Sequence, residues 1–121
     1  MSIKRLKNLS ALGIDTLKRI PTPQITKVNL ALTTRCNHRC LSCNIWKSNG
    51  KSKDEFTLSE VSYLLRQNPQ LMWVSLTGGE PSLDSEFPEI LSKCLESVRL
   101  VNVITNGELP DIIVKEGIRR A

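Results

Sequence analysis

The chain has 121 residues, a hydrophobic content of 40% and a formal net charge of +5. These values fit one folded domain with an ordinary core and exclude a disordered chain. No apolar run approaches the roughly 20 residues of a membrane span, and the basic amino-terminal segment lacks the apolar stretch of a signal peptide. We therefore expect a cytoplasmic protein, in which clustered cysteines indicate a metal or catalysis more often than disulfides.

The positive charge is concentrated in the first part of the chain. Residues 1–50 carry nine Lys and Arg against one acid, Asp15, whereas residues 51–121 carry eight bases and eleven acids. Residues 1–22 have apolar positions at roughly helical spacing and predict a basic amphipathic helix that packs on the domain formed by residues 23–121. Docking to an acidic partner or an anionic surface is the alternative. Nucleic-acid binding is disfavoured because no aromatic residues alternate with the bases.

The first predicted strand covers residues 25–32, which are β-branched and apolar. A cysteine-rich loop and an exposed polar stretch follow it. Thr57 and Glu60 have the spacing of a capping box, and the helix that they begin should end at Asn68-Pro69.

Two further βα units follow. The apolar run 71–76 predicts a strand that is covered on both faces, and a helix near 86–97 places Cys94 on its apolar stripe, in the core. Residues 99–104 predict the third strand, which is apolar on both faces, and Pro110 suits the first position of a third helix. Three successive βα units predict an α/β fold with a parallel sheet and right-handed connections.

The unusual residues of the chain all follow predicted strands. The three loops read TTRCNHRCLSCNIW, TGGEP and TNGE. Because the carboxyl ends of parallel strands share one edge of a sheet, where the chemistry of such folds gathers, we expect the three loops to form the functional site together.

The first loop carries three cysteines within eight positions, Cys36, Cys40 and Cys43. A zinc site would need His38 as the fourth ligand, but His38 lies close in sequence to both flanking cysteines, and zinc knuckles prefer C-x2-C pairs. An iron–sulfur cubane fits better, because a short loop can wrap three of its irons and leave one open, as catalytic metal sites do. The spacing alone favours a cluster over zinc or no metal, and leaves the three alternatives open.

The stretches VNLALTTRCNHRCLSCNIW and WVSLTGGEPSL resemble the radical S-adenosylmethionine (SAM) enzymes, and TNG after the third strand is also similar to that family. The resemblance covers about residues 25–110. It implies that Cys36, Cys40 and Cys43 ligate three irons of a 4Fe-4S cluster. It also implies that SAM binds the fourth iron through its amino and carboxylate groups.

The same resemblance implies roles for residues in the other loops. Gly78, Gly79 and Glu80 match the family's GGE, which meets the SAM amino group, and glycines let a backbone approach a ligand closely. Asn106 is a further candidate on the cofactor side, with turn chemistry as the alternative.

Two residues of the cysteine loop, Ser42 and Trp46, each have two alternative interpretations. Ser42 stands where the family often has an aromatic residue that contacts the adenine, so that contact would be made by backbone or be absent. Trp46 either covers the cluster or packs on the domain.

The reaction implied by the resemblance is reductive cleavage of SAM. A reduced cluster passes one electron to the sulfonium, methionine leaves, and the 5′-deoxyadenosyl radical abstracts hydrogen from a substrate. An external electron donor of the flavodoxin or ferredoxin type is expected, and the basic front end is a candidate docking surface for it.

The sequence departs from the family in one respect, because the family core is a partial barrel of six βα units and only three are present. We therefore expect half of a partial (β/α)6 TIM-like barrel with an N-terminal helix. The later strands of the family supply ribose and adenine contacts and much of the substrate pocket. The alternative functions are a cluster-binding remnant or interaction module without turnover, and a zinc-binding RNA module. An open edge on the third strand also predicts self-association, or a partner that supplies the remaining strands.

Overall fold

The computed structural model describes residues 24–48, 55–111 and 114, and the N-terminal helix predicted over residues 1–22 lies outside these ranges. The strands and helices in chain order are β1 (Lys27–Thr33), α1 (Leu58–Gln67), β2 (Trp73–Gly78), α2 (Phe87–Ser97) and β3 (Leu100–Val103). Two short 3-10 turns, Ile45–Ser48 and Pro81–Leu83, lie in the loops that follow β1 and β2. Pro110 and Asp111 are helical, so a further helix begins where the sequence predicts it.

The three strands form one parallel sheet in the order β1-β2-β3. Leu30 pairs with Leu76, and Leu76 pairs in turn with Val103. The carboxyl ends of the three strands therefore lie near the same edge of the sheet. The register shifts between Ala31 and Thr33, at the end of β1. The predicted α/β fold of successive βα units with a parallel sheet is confirmed, and the two intervening helices provide the crossovers that parallel strands require.

Helix α1 begins with the capping box that the sequence predicts. The Glu60 backbone N–H donates to Thr57 Oγ1 at 3.3 Å, and the Thr57 backbone N–H donates to Glu60 Oε2 at 2.8 Å. The helix ends at Gln67, and Asn68 caps it through a backbone hydrogen bond to Leu65. The reciprocal cap satisfies two backbone donors that would otherwise lack partners.

The core lies between one face of the sheet and the two helices. Among its fully buried members are Leu32, Val74, Leu76, Phe87 and Ile90. Cys94 is also fully buried, as predicted, and burial raises the pKa of its thiol to about 11. This thiol therefore stays protonated and inert near neutral pH.

The third strand is covered on one face, although the sequence predicts cover on both. Val101 and Val103 pack against the core. Leu100 is 50% exposed and Ile104, just beyond the strand, is 56% exposed. Within the described residues, β3 pairs with β2 alone. No helix within the described ranges combines the length and apolar content that crossing a bilayer requires.

Candidate functional site

The loops after the three strands meet at the carboxyl edge of the sheet, as predicted, and enclose a cavity of about 280 Å³. Its walls are Cys36, His38, Cys40, Cys43, Ile45, Trp46, Gly78, Gly79, Ile104, Thr105 and Asn106. A separate groove of about 460 Å³ between α1 and α2 contains no residue of these loops. The cavity at the strand ends is therefore the place where the sequence-predicted site residues come together, with the exception of Glu80, which does not line it.

The three cysteines of the first loop all line this cavity as free thiols. Cys36 is half-buried and accepts the His38 backbone N–H at 3.4 Å, whereas Cys40 and Cys43 are exposed. In the part of the chain that the structure describes, no three His, Cys, Asp or Glu side chains converge on one point as ligands of a single metal ion. A cubane cluster does not need such convergence, because each thiolate binds a different iron.

Trp46 forms another part of the cavity wall. Its indole N–H donates to the Cys40 carbonyl at 3.4 Å. The Arg39 and Lys47 cations lie 5.6 and 5.2 Å from the ring centroid, within the range of a cation–π contact. Trp46 therefore faces the cavity and also ties the far end of the cysteine loop back to its middle.

Gly78 and Gly79 bring the β2 loop against the backbone of the β1 loop. Gly78 has a φ of +141°, and a Cβ there would lie 2.3 Å from the Thr33 carbonyl oxygen. A Cβ on Gly79 would lie 2.0 Å from the Arg35 carbonyl oxygen. Two backbone hydrogen bonds fill this space instead, from the Gly79 N–H to the Thr33 oxygen at 2.7 Å and from the Glu80 N–H to the Arg35 oxygen at 2.8 Å. Glycine is required here by the contact between the two loops, independently of any ligand.

The Glu80 side chain is fully buried and is not part of the cavity wall. Its Oε1 accepts the Ser82 backbone N–H at 3.1 Å, the Ser82 hydroxyl at 2.5 Å and the Thr105 hydroxyl at 2.8 Å. Its Oε2 accepts the Asn106 backbone N–H at 2.8 Å. The carboxylate therefore links the β2 loop to the β3 loop.

Burial alone would raise the pKa of Glu80, because it penalises the charged form. The hydrogen bonds from Ser82, Asn106 and Thr105 outweigh burial and bring the pKa below its ordinary value of 4.5. Glu80 is therefore ionised near neutral pH, and its hydrogen bonds offset much of the cost of burying the charge.

Sequence reasoning missed an ion pair that holds the start of the cysteine loop. Arg35 Nε lies 2.5 Å from Glu55 Oε1, and Arg35 Nη2 donates to Glu55 Oε2 at 3.1 Å and to the Leu83 carbonyl at 2.7 Å. The Thr33 hydroxyl also donates to Glu55 Oε1 at 2.5 Å. The Arg35 guanidinium holds the pKa of the Glu55 carboxyl below 4.5. No local sequence pattern indicates an ion pair whose members are 20 positions apart.

Asn106 lies on the cavity wall, but its side chain is engaged with the cysteine loop. Its Nδ2 donates to Asn37 Oδ1 at 2.7 Å. Its backbone N–H is held by Glu80. The Asn106 side chain therefore joins the β3 loop to the cysteine loop, and its backbone N–H joins the β3 loop to the β2 loop.

The family model described as the Radical SAM superfamily matches residues 30–121. The chain belongs to the radical SAM superfamily. The resemblance inferred from the cysteine and glycine motifs is thus confirmed. The three parallel βα units are consistent with part of a radical SAM barrel.

Curated relatives carry a common name. The "Probable GTP 3′,8-cyclase" of Thermococcus kodakarensis is 32% identical over 102 residues, which are 79% of this chain and 33% of that protein. The protein of that name from Methanocella arvoryzae is 35% identical over 88 residues, or 71% and 28% of the two chains. The "GTP 3′,8-cyclase" of Pectobacterium atrosepticum is 36% identical over 87 residues, or 66% and 26%. The chain spans between about a quarter and a third of the length of these relatives.

The residues present fit the 4Fe-4S cluster that the radical SAM family implies. The loop offers three free thiols on one cavity, which is the donor chemistry of such clusters. Gly78 and Gly79 add backbone to the wall of the same cavity, since a side chain at either position would collide with the β1 loop.

We expect Gly79→Ala to destabilise the chain by about 3 kcal/mol, the upper end of the usual cost of overpacking, because the new Cβ would lie 2.0 Å from the Arg35 carbonyl oxygen and the backbone would have to shift. The free energy of unfolding in urea measures this loss. Gly107→Ala is the matched control: Gly107 has a φ of +77° with open space around it, so only backbone strain of about 1–2 kcal/mol is expected. An unchanged stability in Gly79→Ala would contradict the contact between the loops.

The lowered pKa of Glu80 gives a second expectation, concerning pH. A carboxyl whose pKa is lower in the folded chain stabilises it fully above the ordinary value of 4.5, and the contribution is lost as the pH falls through the folded pKa. Wild type should therefore be more stable than Glu80→Gln at neutral pH, and the difference should narrow below pH 4.5 in urea titrations. Thr105→Val, which removes one donor to Glu80, should lose part of the same pH dependence. A difference that stays constant down to acid pH would show that the carboxylate charge is not stabilised by these contacts.

Proposed function

We propose that this chain is the cluster-binding part of a radical SAM enzyme, in which Cys36, Cys40 and Cys43 hold a 4Fe-4S cluster and SAM binds the remaining iron. The observation that carries the proposal is that these cysteines share one cavity with Gly78 and Gly79, although the two sets follow different strands. When bound, the cluster and SAM supply one-electron cleavage of the sulfonium, with release of methionine and a 5′-deoxyadenosyl radical.

The number of thiols matters to this proposal. The cavity is lined by three cysteines, and the fourth cysteine of the chain, Cys94, is buried in the core. The loop therefore supplies three thiolates and leaves one iron for SAM. An open coordination position is what catalytic metal sites retain.

The glycine turn would bind the SAM ammonium with backbone carbonyl groups. An ammonium group donates hydrogen bonds, so its backbone partners must be carbonyl oxygens. The Glu80 carbonyl already accepts the Leu83 N–H at 3.1 Å, so the carbonyls of Gly78 and Gly79 are the candidates. The Glu80 carboxylate has four donors of its own and is buried. We infer that it acts on the ammonium through its charge and by fixing the turn rather than by direct contact. This differs from the direct role that the motif alone implies.

The apolar part of the cavity wall would keep water from the reacting atoms. Ile45, Trp46 and Ile104 supply this part. A drier cavity strengthens electrostatic interactions inside it and protects a reactive radical from side reactions. Asn106 would contribute to the same wall by its position, because its amide is occupied by Asn37.

The activity of the whole protein is a further proposal, since the chain spans a third or less of its curated relatives. The name of those relatives makes GTP the first substrate to test. We also propose a flavodoxin- or ferredoxin-type electron donor, for which the basic first 50 residues are a candidate surface. We place the chain in the cytoplasm, where thiols remain reduced.

A second candidate function is a cluster-binding module that does not turn over SAM by itself. The β3 edge favours it: β3 pairs with β2 alone within the described residues, and Leu100 and Ile104 are about half exposed. Such an edge invites pairing with another strand. Further strands of the barrel, or a second copy of the chain, would complete it.

Cysteine variants test the ligand assignment. After anaerobic reconstitution, we expect wild type to show the visible absorption of an iron–sulfur cluster and equal amounts of iron and sulfide. Cys36→Ala, Cys40→Ala and Cys43→Ala should each abolish it, because every thiolate binds its own iron. Cys94→Ala is the matched control and should retain the cluster, with a loss of packing stability of up to a few kcal/mol. A cluster retained in Cys40→Ala but lost in Cys94→Ala would refute the assignment, and bound zinc in its place would support the zinc alternative.

A SAM-cleavage assay tests whether this chain turns over SAM by itself, which the second candidate function excludes. With dithionite as reductant, we expect the reconstituted 121-residue chain to form no 5′-deoxyadenosine above the level of a Cys36→Ala control. We expect it to elute as a self-associated species in size-exclusion chromatography with light scattering, because of the open β3 edge. A monomer that cleaves SAM would show that three βα units suffice, and would remove the second candidate.

A further inference from the structure

A set of polar contacts beside the cavity joins the cysteine loop to the loop that follows β3. Asn37 Nδ2 donates to Glu108 Oε2, and His38 Nε2 lies 2.6 Å from Glu108 Oε1. Asn106 Nδ2 donates to Asn37 Oδ1 at 2.7 Å. We refer to Asn37, His38, Asn106 and Glu108 as the clasp. Neither the cysteine motif nor the GGE motif includes Glu108.

The clasp is a closed ring of contacts rather than one surface pair. Both carboxylate oxygens of Glu108 have partners in the cysteine loop, and its backbone N–H donates to Asn106 Oδ1 at 3.0 Å. The Asn37 and Asn106 amides each donate from nitrogen and accept at oxygen, which fixes the orientation of both groups. Gly107, with a φ of +77°, makes the turn that brings Glu108 back over the loop. Members of a connected network support one another more than isolated surface pairs do.

The base of the clasp is anchored in the interior. Buried Glu80 accepts the Asn106 backbone N–H at 2.8 Å and the Thr105 hydroxyl at 2.8 Å. Within the cysteine loop, from Cys36 to Trp46, the described hydrogen bonds are longer. The Cys40 carbonyl accepts the Cys43 N–H at 3.3 Å and the Trp46 indole N–H at 3.4 Å, and Cys36 Sγ accepts the His38 N–H at 3.4 Å. The clasp therefore joins a lightly held loop to a firmly held one.

The position of the clasp affects the placement of two of the thiols. Asn37 and His38 lie in the segment between Cys36 and Cys40, so holding them restricts the relative placement of these two thiols. We propose that Asn37, Asn106 and Glu108 are positioning residues that pre-organise Cys36 and Cys40 before a cluster binds. Pre-organised ligands lose less freedom when they bind a metal. The inference deepens the proposed function and rests on it, because it assumes that these thiols bind a cluster.

Alkylation of the metal-free 121-residue chain with iodoacetamide tests the clasp without a cluster. Mass spectrometry gives the modification rate of each cysteine in wild type, Asn37→Ala, Glu108→Ala and the double variant. We expect both single variants to raise the rate at half-buried Cys36 about fivefold, the value of about one hydrogen bond. The double variant should add little to the larger single effect, because the two residues belong to one connected network.

The chain provides its own controls. Cys94 is fully buried and should stay unmodified in every variant, which reports that the core remains folded. Cys43 lies outside the clasped segment and should change less than Cys36. Glu89→Ala removes an exposed carboxylate elsewhere and should leave all the rates as in wild type.

Each result decides the proposal. An unchanged Cys36 rate, additive effects in the double variant, or an increase in Glu108→Ala without one in Asn37→Ala would overturn it; the last would indicate a charge effect, because Asn37→Ala removes no charge. If Cys94 becomes reactive in an alanine variant, Asn37→Ser and Glu108→Gln replace the alanine pair.

A second measurement separates the clasp from the proposed function. In reconstituted protein, we expect a chelator to remove iron about fivefold faster from Glu108→Ala than from wild type or Glu89→Ala. A wild type that takes up a cluster, with variants that match it in both measurements, would refute the clasp and leave the function standing. If the wild type does not take up a cluster but the clasp variants still change the alkylation rates, the clasp is supported and the proposed function is refuted.

Discussion

The site depends on a close contact between two stretches of backbone. The β2 loop lies against the β1 loop at a distance that leaves no room for a Cβ, with hydrogen bonds of 2.7 and 2.8 Å from Gly79 and Glu80 to Thr33 and Arg35. This contact fixes where the cysteine loop leaves the sheet. It also places the backbone of Gly78 and Gly79 in the cavity wall, and backbone can approach a small polar ligand more closely than side chains would allow.

Two buried or half-buried carboxylates then join the loops in different ways. Glu80 receives hydrogen bonds from the β2 and β3 loops and contacts no cation among the described residues. Glu55 pairs with Arg35 and holds the start of the cysteine loop. A carboxylate held by neutral donors keeps its negative charge inside the site, whereas one paired with a guanidinium is largely neutralised. The first arrangement suits a wall that is proposed to face the ammonium of SAM.

Sequence alone predicts the local parts of this structure well. The capping box at Thr57, the apolar run of β2 and Pro110 as a helix start are each set by neighbours within a few positions, and the structure contains all three. The loops converge as predicted because parallel topology requires it.

The long-range polar contacts were not predictable in the same way. Glu55 and Arg35 are 20 positions apart, and Glu108 and Asn37 are 71 apart. Nothing in composition or periodicity pairs them. The sequence motif identifies Glu80, but only its burial and four donors reveal that its carboxylate joins two loops. Which partner a charged side chain selects is decided by the completed fold, after the periodic pattern has been satisfied.

The difference in exposure among the cysteines affects the order in which they are oxidised. Cys40 and Cys43 face solvent, Cys36 is half-buried and Cys94 is enclosed. Oxidants reach thiols in that order, so the first damage to a metal-free chain falls on two residues that are proposed ligands. Oxidation there to sulfenic acid or a disulfide is reversible by reduction. The enclosed thiol, whose pKa is raised to about 11, is spared. We therefore expect mild oxidation to modify the cysteine loop while the core stays folded, so that reduction regenerates the loop thiols without refolding.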